Sequence, residues 1–123
     1  MSIPILKQGP YLIASIESLV VDADLDRLRE DLAERVGDAR CRGVIVDVTE
    51  LDVMDSFTIR TLLDIAQVAK LRGAEAVIVG IQPEVAFAMV QLGLRLEDVA
   101  TALDLEEGVH LLDSTAARVI DVR

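Results

Sequence analysis

Hydrophobic and polar residues follow one another in short blocks that predict strands and helices in turn. Two β-rich runs flank Gly9-Pro10, a turn signal typical of a hairpin. The next block has apolar residues at helical spacing between a capping Asp22 and a terminating Gly37. Its apolar face consists of Leu25, Leu28, Leu32 and Val36. We therefore expect an opening β-hairpin followed by an amphipathic helix.

The centre of the chain alternates β-branched runs with helical patterns. The runs "GVIVDV" and "AEAVIVGI" are too short for helices, and they are apolar on both faces, as buried parallel strands are. A helical pattern that closes at Gly73 lies between them. A third, short helix is predicted from Pro83 in its first turn to a stop at Gly93, and a last helix begins where Asp104 and Glu107 have capping-box spacing.

This order of elements predicts an α/β fold. Successive strands joined by helices pair in parallel through right-handed crossovers, while the hairpin adds an antiparallel strand. We expect a single domain over residues 1–123, with a mixed sheet of four to five strands and about four helices. Functional groups in such sheets gather at the carboxyl ends of the strands, and the turn before Ser56 is predicted to lie there.

Composition and charge exclude several classes of partner. Twelve Lys and Arg against 22 Asp and Glu give a formal charge of −10, which repels phosphate backbones and anionic lipids, and 2% aromatic residues offer few stacking platforms. The single cysteine cannot form an internal disulfide, and no secretory signal or membrane span is visible. We expect a cytoplasmic protein that binds neither nucleic acid nor membranes. A hydrophobic content of 52% leaves apolar surface for assembly.

The stretch "ELDVMDSFTIRTLL" places one serine, Ser56, between an acidic turn and a helix. A serine at such a turn suggests a hydrolase nucleophile, and the chain order of Ser56, Asp104 and His110 matches that of a catalytic triad. However, a nucleophile elbow needs small residues beside the serine, and here its neighbours are Asp55 and Phe57. A small serine hydrolase is therefore only a remote alternative.

Metal, thiol and nucleotide chemistry find little support. Four carboxylates crowd the same turn, but they lack the spacing of a calcium loop, and a solvated turn at the positive end of a helix explains them equally well. They are Asp47, Glu50, Asp52 and Asp55. Cys41 lies between Arg40 and Arg42, which would lower a thiol pKa, although a small residue before a buried strand is the simpler interpretation. No phosphate-binding glycine loop occurs, so we expect no metal and no cofactor.

Spacing alone leaves two interpretations of Ser56. In the first, Ser56 or Asp55 is simply the N-cap of the helix. In the second, a partner protein phosphorylates Ser56, because a phosphate there meets unpaired N–H groups and the positive end of the helix dipole. The added charge of about −1.5 to −2 would fall beside Asp55 and Asp52 and disturb a partner docked on that surface.

A resemblance to a known family adds to the second interpretation. "GVIVDVTELDVMDSFTIRTLL" resembles the signature of STAS domains, the family of anti-sigma factor antagonists, in which the serine of an Asp-Ser turn is phosphorylated. "KLRGAEAVIVGIQPEVAFAMVQLGL" and "ALDLEEGV" are similar to the RsbS branch, the small STAS component of the bacterial stressosome. The resemblance implies that an RsbT-type serine kinase phosphorylates Ser56. It also implies a switch surface of Asp22, Asp55, Phe57 and Thr58 around that serine.

The function implied by the resemblance is regulatory and not enzymatic. The unmodified protein, packed with RsbR-type paralogues in a large assembly, would hold the kinase, and phosphorylation would release it to regulate a stress and sigma factor response. Ala88 stands where some stressosome STAS domains have a hydroxyl, so no second phosphorylation site is expected there. The lack of an N-terminal extension argues against an RsbR-type paralogue. A free antagonist that binds an anti-sigma factor kinase directly is the alternative, and a homodimer stays open.

Overall fold

A computed structural model describes residues 3–38, 40–93 and 99–121, with side chains described as far as Ser114. The strands are β1 (Ile5–Gln8), β2 (Tyr11–Ser15), β3 (Gly43–Asp47), β4 (Glu75–Val79) and β5 (Ala100–Ala102). The helices are α1 (Asp22–Asp38), α2 (Ser56–Leu71), α3 (Pro83–Gln91) and α4 (Leu105–Asp121). The sheet order is β1-β2-β3-β4-β5, with β1 antiparallel to β2 and the other pairs parallel. The predicted α/β fold with a mixed sheet is confirmed.

Alternating side chains of the sheet feed two hydrophobic cores, one on each face. Leu12 and Ala14 of β2 point into the larger core, and Tyr11 and Ile13 point into the smaller one. Each crossover steps to the next strand in the same direction, so α1, α2 and α3 all contribute to the larger core. The last helix, α4, crosses the second face and contributes Leu112. Burial on both faces explains why the central strands are apolar without alternation.

Helices α1 and α2 lie side by side and run in the same direction. Arg29 Nη1 of α1 lies 3.5 Å from Asp64 Oδ2 of α2. Near the other end of the pair, the Arg72 guanidinium occupies the space that a Cβ on Gly37 would need. Arg29 and Asp64 are separated by the same number of residues as Gly37 and Arg72, as expected for two helices packed in parallel. Phe57 follows Asp22 by that same number of residues, so these two residues lie at the same level of the helix pair. Both helices therefore begin at the carboxyl edge of the sheet.

The ends of the helices agree with the sequence pattern at most positions. Helix α2 stops before Gly73, whose φ of 94° is left-handed, as predicted. The predicted stop of α1 at Gly37 is off by one residue, because the helix runs to Asp38 and the left-handed position falls on Arg40, with φ 48°. None of the helices in the described part of the chain combines the length and apolar character that crossing a membrane requires.

Helix α4 sits unusually close to the sheet at Gly108. Its first turn is capped as predicted: the Glu107 N–H donates to Asp104 Oδ1 at 2.9 Å, and Glu107 Oε1 accepts from the Leu103 N–H at 3.3 Å. A Cβ on Gly108 would lie 2.7 Å from Val79 Cγ1. A glycine of low helix propensity is therefore found here because only its small size lets α4 approach β4.

Candidate functional site

The loop from β3 to α2, residues 48–55, starts at the carboxyl end of a central strand. Its apolar residues Val48, Leu51 and Met54 are buried in the larger core. Between and beside them Asp52, Val53 and Asp55 are exposed. The loop is therefore anchored by three buried apolar side chains, and it displays carboxylates and one valine on its outer side.

Asp55 is the N-cap of α2. Its backbone is extended, with φ −84° and ψ 173°, and its Oδ1 accepts hydrogen bonds from the Thr58 N–H and the Thr58 hydroxyl, both at 2.8 Å. The Thr58 N–H, followed by the Thr58 hydroxyl, lowers the pKa of Asp55 by stabilising the ionised carboxylate. Asp55 is therefore the N-cap of α2, and the Ser56 hydroxyl does not cap the helix.

Ser56 is the first residue of α2 and is exposed. Within the described part of the chain, no hydrogen-bond partner is found for the backbone N–H groups of Ser56 and Phe57, as expected for the first turn of a helix. The Phe57 side chain is 37% exposed. Thr58, predicted to belong to the surface, is instead buried, and its hydroxyl is bound to Asp55. Its role is to hold the cap from beneath.

Asp22 joins this edge from the neighbouring helix. It is exposed in the first turn of α1, where the sequence pattern placed it just before the helix. The parallel packing of α1 and α2 brings it level with Phe57. The structure thus collects the predicted switch residues at one edge of the sheet, although only Asp55 and Thr58 are bonded to each other among the described residues.

The surface around Ser56 combines aliphatic side chains with carboxylates. Leu19 is 91% exposed in the loop before α1, and Val53 is 78% exposed in the loop before α2. A depression of about 560 Å³ opens at the ends of β2 and β3, and its charged lining residues are all acidic. They are Glu17, Asp47 and Glu50. Such a surface suits a protein partner that brings apolar and basic groups.

A hydrogen bond that sequence reasoning missed joins this loop to the next one. Gln82, the N-cap residue of α3, donates from its Nε2 to the Thr49 carbonyl oxygen at 2.7 Å. The two residues lie 33 positions apart, so no local pattern reveals the bond. The one local signal is the "GIQPE" segment itself, which has glutamine where a Ser, Thr, Asp or Asn cap is usual.

The structure does not assemble the alternative chemistries. Ser56 begins α2 on one face of the sheet, whereas His110 lies on α4, which packs on the other face, so the hydrolase triad is not formed. Within the described ranges, no cluster of three or more His, Cys, Asp or Glu residues could hold a metal ion. Burial raises the pKa of the Cys41 thiol, which agrees with a small core residue and not with an activated one.

The fold and the site define a class of protein: a small α/β domain that displays a serine at the start of a helix, among acidic and aliphatic groups. The family model for the STAS domain matches residues 2–108. The chain belongs to the STAS domain family.

Curated relatives of the chain include two RsbT co-antagonist proteins of Bacillus subtilis (strain 168). The chain is 29% identical to the RsbT co-antagonist protein RsbRA over 97 residues, covering 78% of this chain and 35% of that protein. It is 28% identical to the RsbT co-antagonist protein RsbRD over 94 residues, covering 74% of this chain and 34% of that protein. The chain thus spans about a third of the length of these curated relatives.

Solved structures give more complete matches. An RsbS of Moorella thermoacetica with a serine replaced by glutamate is 34% identical, with a TM-score of 0.84, covering 94% of this chain and 97% of that one. A chain from the molecular architecture of the stressosome, a signal integration and transduction hub, is 35% identical, with a TM-score of 0.81 and coverage of 92% and 98%. The Bacillus cell fate determinant SpoIIAA in its phosphorylated form shares the fold at 12% identity, with a TM-score of 0.67 and coverage of 90% and 99%.

Proposed function

We propose that this protein is a non-enzymatic switch in a stressosome-type assembly. In its unmodified form it holds a serine kinase of the RsbT type, and phosphorylation of Ser56 by that kinase weakens the hold. The released kinase then acts in a general stress or sigma factor response. The proposal takes its partners from the similarity to RsbS and to the RsbT co-antagonist proteins.

The observation that carries the proposal is that Asp55 caps α2 while the adjacent Ser56 is exposed. Asp55 caps α2 with both of its Thr58 bonds, so the adjacent Ser56 hydroxyl is exposed and is not needed for the fold. The unpaired first-turn N–H groups and the positive end of the helix dipole favour a phosphate at this position. The serine is therefore accessible to a kinase, and its phosphorylated form is compatible with the helix.

The same surroundings explain how a phosphate would weaken a complex. Val53 and Phe57 flank Ser56 and are partly or largely exposed, so a partner seated on them would exclude water from the serine as well. A phosphoserine carries about −1.5 to −2 charges at neutral pH and would lose its hydration in that interface. The carboxylate of Asp55 next to it adds like-charge repulsion.

Assembly with RsbR-type paralogues is supported by surface composition as well as by similarity. Phe87 and Val90 of α3 and Leu103 after β5 are 71%, 77% and 81% exposed. Apolar side chains in such numbers on so small a domain are typical of proteins that pack against others. Ala88 has no hydroxyl, which fits a protein with Ser56 as its switch residue on α2 and no second one at this point of α3.

The direct test is phosphate mapping. The protein is incubated with a cognate RsbT-type kinase and ATP, and peptides are analysed by mass spectrometry, with Ser56→Ala as the negative control. We expect phosphate on Ser56. Phosphate on other residues with Ser56 unmodified would overturn the mechanism while leaving the fold assignment intact.

Binding to the kinase provides the second test. Ser56→Asp is expected to bind the kinase more weakly than Ser56→Ala, because a charge replaces the hydroxyl inside the interface. Ser114→Asp, an exposed serine on α4 across the sheet, is the matched control and should bind like the wild type. Size-exclusion chromatography with and without an RsbR-type protein separates an assembly component from a free antagonist, since only the former elutes in a large complex.

A further inference from the structure

The loop that ends at Ser56 is fastened to the following β4–α3 connection through Thr49. Gln82 Nε2 donates to the Thr49 carbonyl oxygen at 2.7 Å. Thr49 is also turned back onto β3, because its N–H and its hydroxyl both donate to Asp47 Oδ1, at 3.0 and 2.6 Å. Thr49 thus has bonds on both sides and fixes the direction in which the loop leaves the sheet.

Gly80 makes room for this arrangement. Its φ of +81° is left-handed, and a Cβ there would lie 2.0 Å from Thr49 Oγ1 and 3.0 Å from Thr49 Cα. The second of these atoms belongs to the backbone, so a side chain at position 80 would force the loop itself to move. Gly80 and Gln82 therefore act on the same residue, one by leaving space and the other by binding its carbonyl.

The Gln82 side chain serves this loop and not its own helix. Gln82 is the N-cap residue of α3, yet its side chain makes no capping hydrogen bond there, and Pro83 follows at the first helical position. An N-cap side chain normally accepts a bond from its own helix. The amide group instead reaches across to Thr49, which indicates that the position is specialised for the loop.

We infer that Gln82 and Gly80 are positioning residues for phosphoryl transfer to Ser56, an inference that rests on the proposed function. In that transfer Ser56 Oγ bonds to the γ-phosphorus of ATP, the bond to the ADP leaving group breaks, and a base of the kinase takes the hydroxyl proton. The kinase accepts the loop in one conformation. Loss of the hydrogen bond to Thr49 lowers the fraction of molecules whose loop has that conformation. The apparent KM of the kinase for this protein then rises by the factor by which that fraction falls, while kcat stays unchanged.

The test compares variants that keep or lose one hydrogen bond. Gln82→Glu has nearly the same size but has no N–H to donate, and we expect KM to rise about three- to tenfold with kcat unchanged. Gln82→Arg keeps a long N–H donor and should restore a KM close to that of the wild type. Amide hydrogen exchange of residues 50–55 in the protein alone should be faster in Gln82→Glu than in the wild type or in Gln82→Arg.

Glycine variants provide a matched pair. Gly80→Ala should raise KM as Gln82→Glu does, because its Cβ displaces Thr49. Gly73→Ala carries similar backbone strain, with φ 94°, but its Cβ meets nothing within 4 Å, so its KM should stay unchanged. Thermal melts of all variants verify that each one is fully folded at the temperature of the kinetic assay.

The outcomes separate this inference from the proposed function. Phosphorylated wild-type Ser56 with equal KM values for Gln82→Glu, Gln82→Arg and the wild type would overturn the positioning role alone. An equal KM for Gly80→Ala and Gly73→Ala would do the same. Absence of phosphate on wild-type Ser56 would overturn the proposed function, and the positioning role with it, whatever the hydrogen exchange shows.

Discussion

Removal of the Asp55 cap is expected to destabilise the protein by about 1–2 kcal/mol. Asp55→Ala deletes the Oδ1 atom that accepts from the Thr58 N–H and hydroxyl. Loss of an N-cap costs about 1 kcal/mol, and we expect the upper part of the range because the Thr58 hydroxyl is buried and loses its acceptor as well. For a domain of this size, such a loss lowers Tm by about 4–8 °C.

Asp55→Asn is the control that separates capping from charge. It keeps a side-chain oxygen for the Thr58 N–H, and asparagine caps helices about as well as aspartate, so its stability should stay within about 0.5 kcal/mol of the wild type. The double variant with Thr58→Val should show non-additive losses with Asp55→Ala, since the two side chains share one bond. Urea denaturation followed by circular dichroism measures all of these proteins.

The difference in stability between the wild type and Asp55→Ala should depend on pH in a defined direction. The folded-state pKa of Asp55 is lowered by the Thr58 N–H and hydroxyl, so its contribution is present above the unfolded pKa of about 3.9 and is lost as pH falls through the lower folded value. The difference in the free energy of unfolding between the wild type and Asp55→Ala should therefore narrow below about pH 4. The reasoning is refuted if Asp55→Asn is as unstable as Asp55→Ala at neutral pH, or if the gap widens in acid.

Three further predictions concern the sheet and its helices. Tyr11 is the single tyrosine, and its pKa is raised to about 12 by burial and by the hydrogen bond to Asp113. Phenolate absorbance should therefore show ionisation at a higher pH than in a free tyrosine, and Asp113→Asn should lower that pH. Because the neutral phenol is favoured by the fold, stability present below the unfolded pKa of about 10 should be lost as pH rises towards the folded value. Gly108→Ala should destabilise by about 1–2 kcal/mol in urea, because a clash with Val79 outweighs the gain in helix propensity. Gly37→Ala should instead stabilise by about 0.5–1 kcal/mol, since only a flexible guanidinium must move, and a loss there would contradict this explanation.

Most of the fold follows from local patterns, and its exceptions have physical causes. The buried strands and the three crossover helices could be predicted because two-sided burial and helical periodicity are strong signals. The short edge strand β5, Ala100–Ala102, carries no such signal, since its pairing with Val77–Val79 of β4 decides its conformation. The left-handed residue after α1 is Arg40, for which the sequence has no glycine or asparagine to mark it.

The candidate site was predictable in its location but not in its internal hydrogen bonds. The turn at the carboxyl end of β3 and its exposed serine follow from element order alone. Spacing could not decide between Asp55 and Ser56 as the cap, because both residue types cap helices well and they are adjacent. The burial of Thr58 and the bond from Gln82 to Thr49 depend on tertiary packing, so only the structure reveals them.

The separation of cap and switch residue has a consequence for how such a turn can signal. If Ser56 itself capped α2, a phosphate on it would remove the cap and disturb the helix together with the partner surface. Because Asp55 holds the cap, a phosphate on Ser56 would add charge to a turn that keeps its capping hydrogen bond. The positive end of the α2 dipole would favour that negative charge, so the helix itself would tolerate it. Under the proposed function, the change in free energy would then fall mainly on the complex with the kinase, where the phosphate would have to be desolvated.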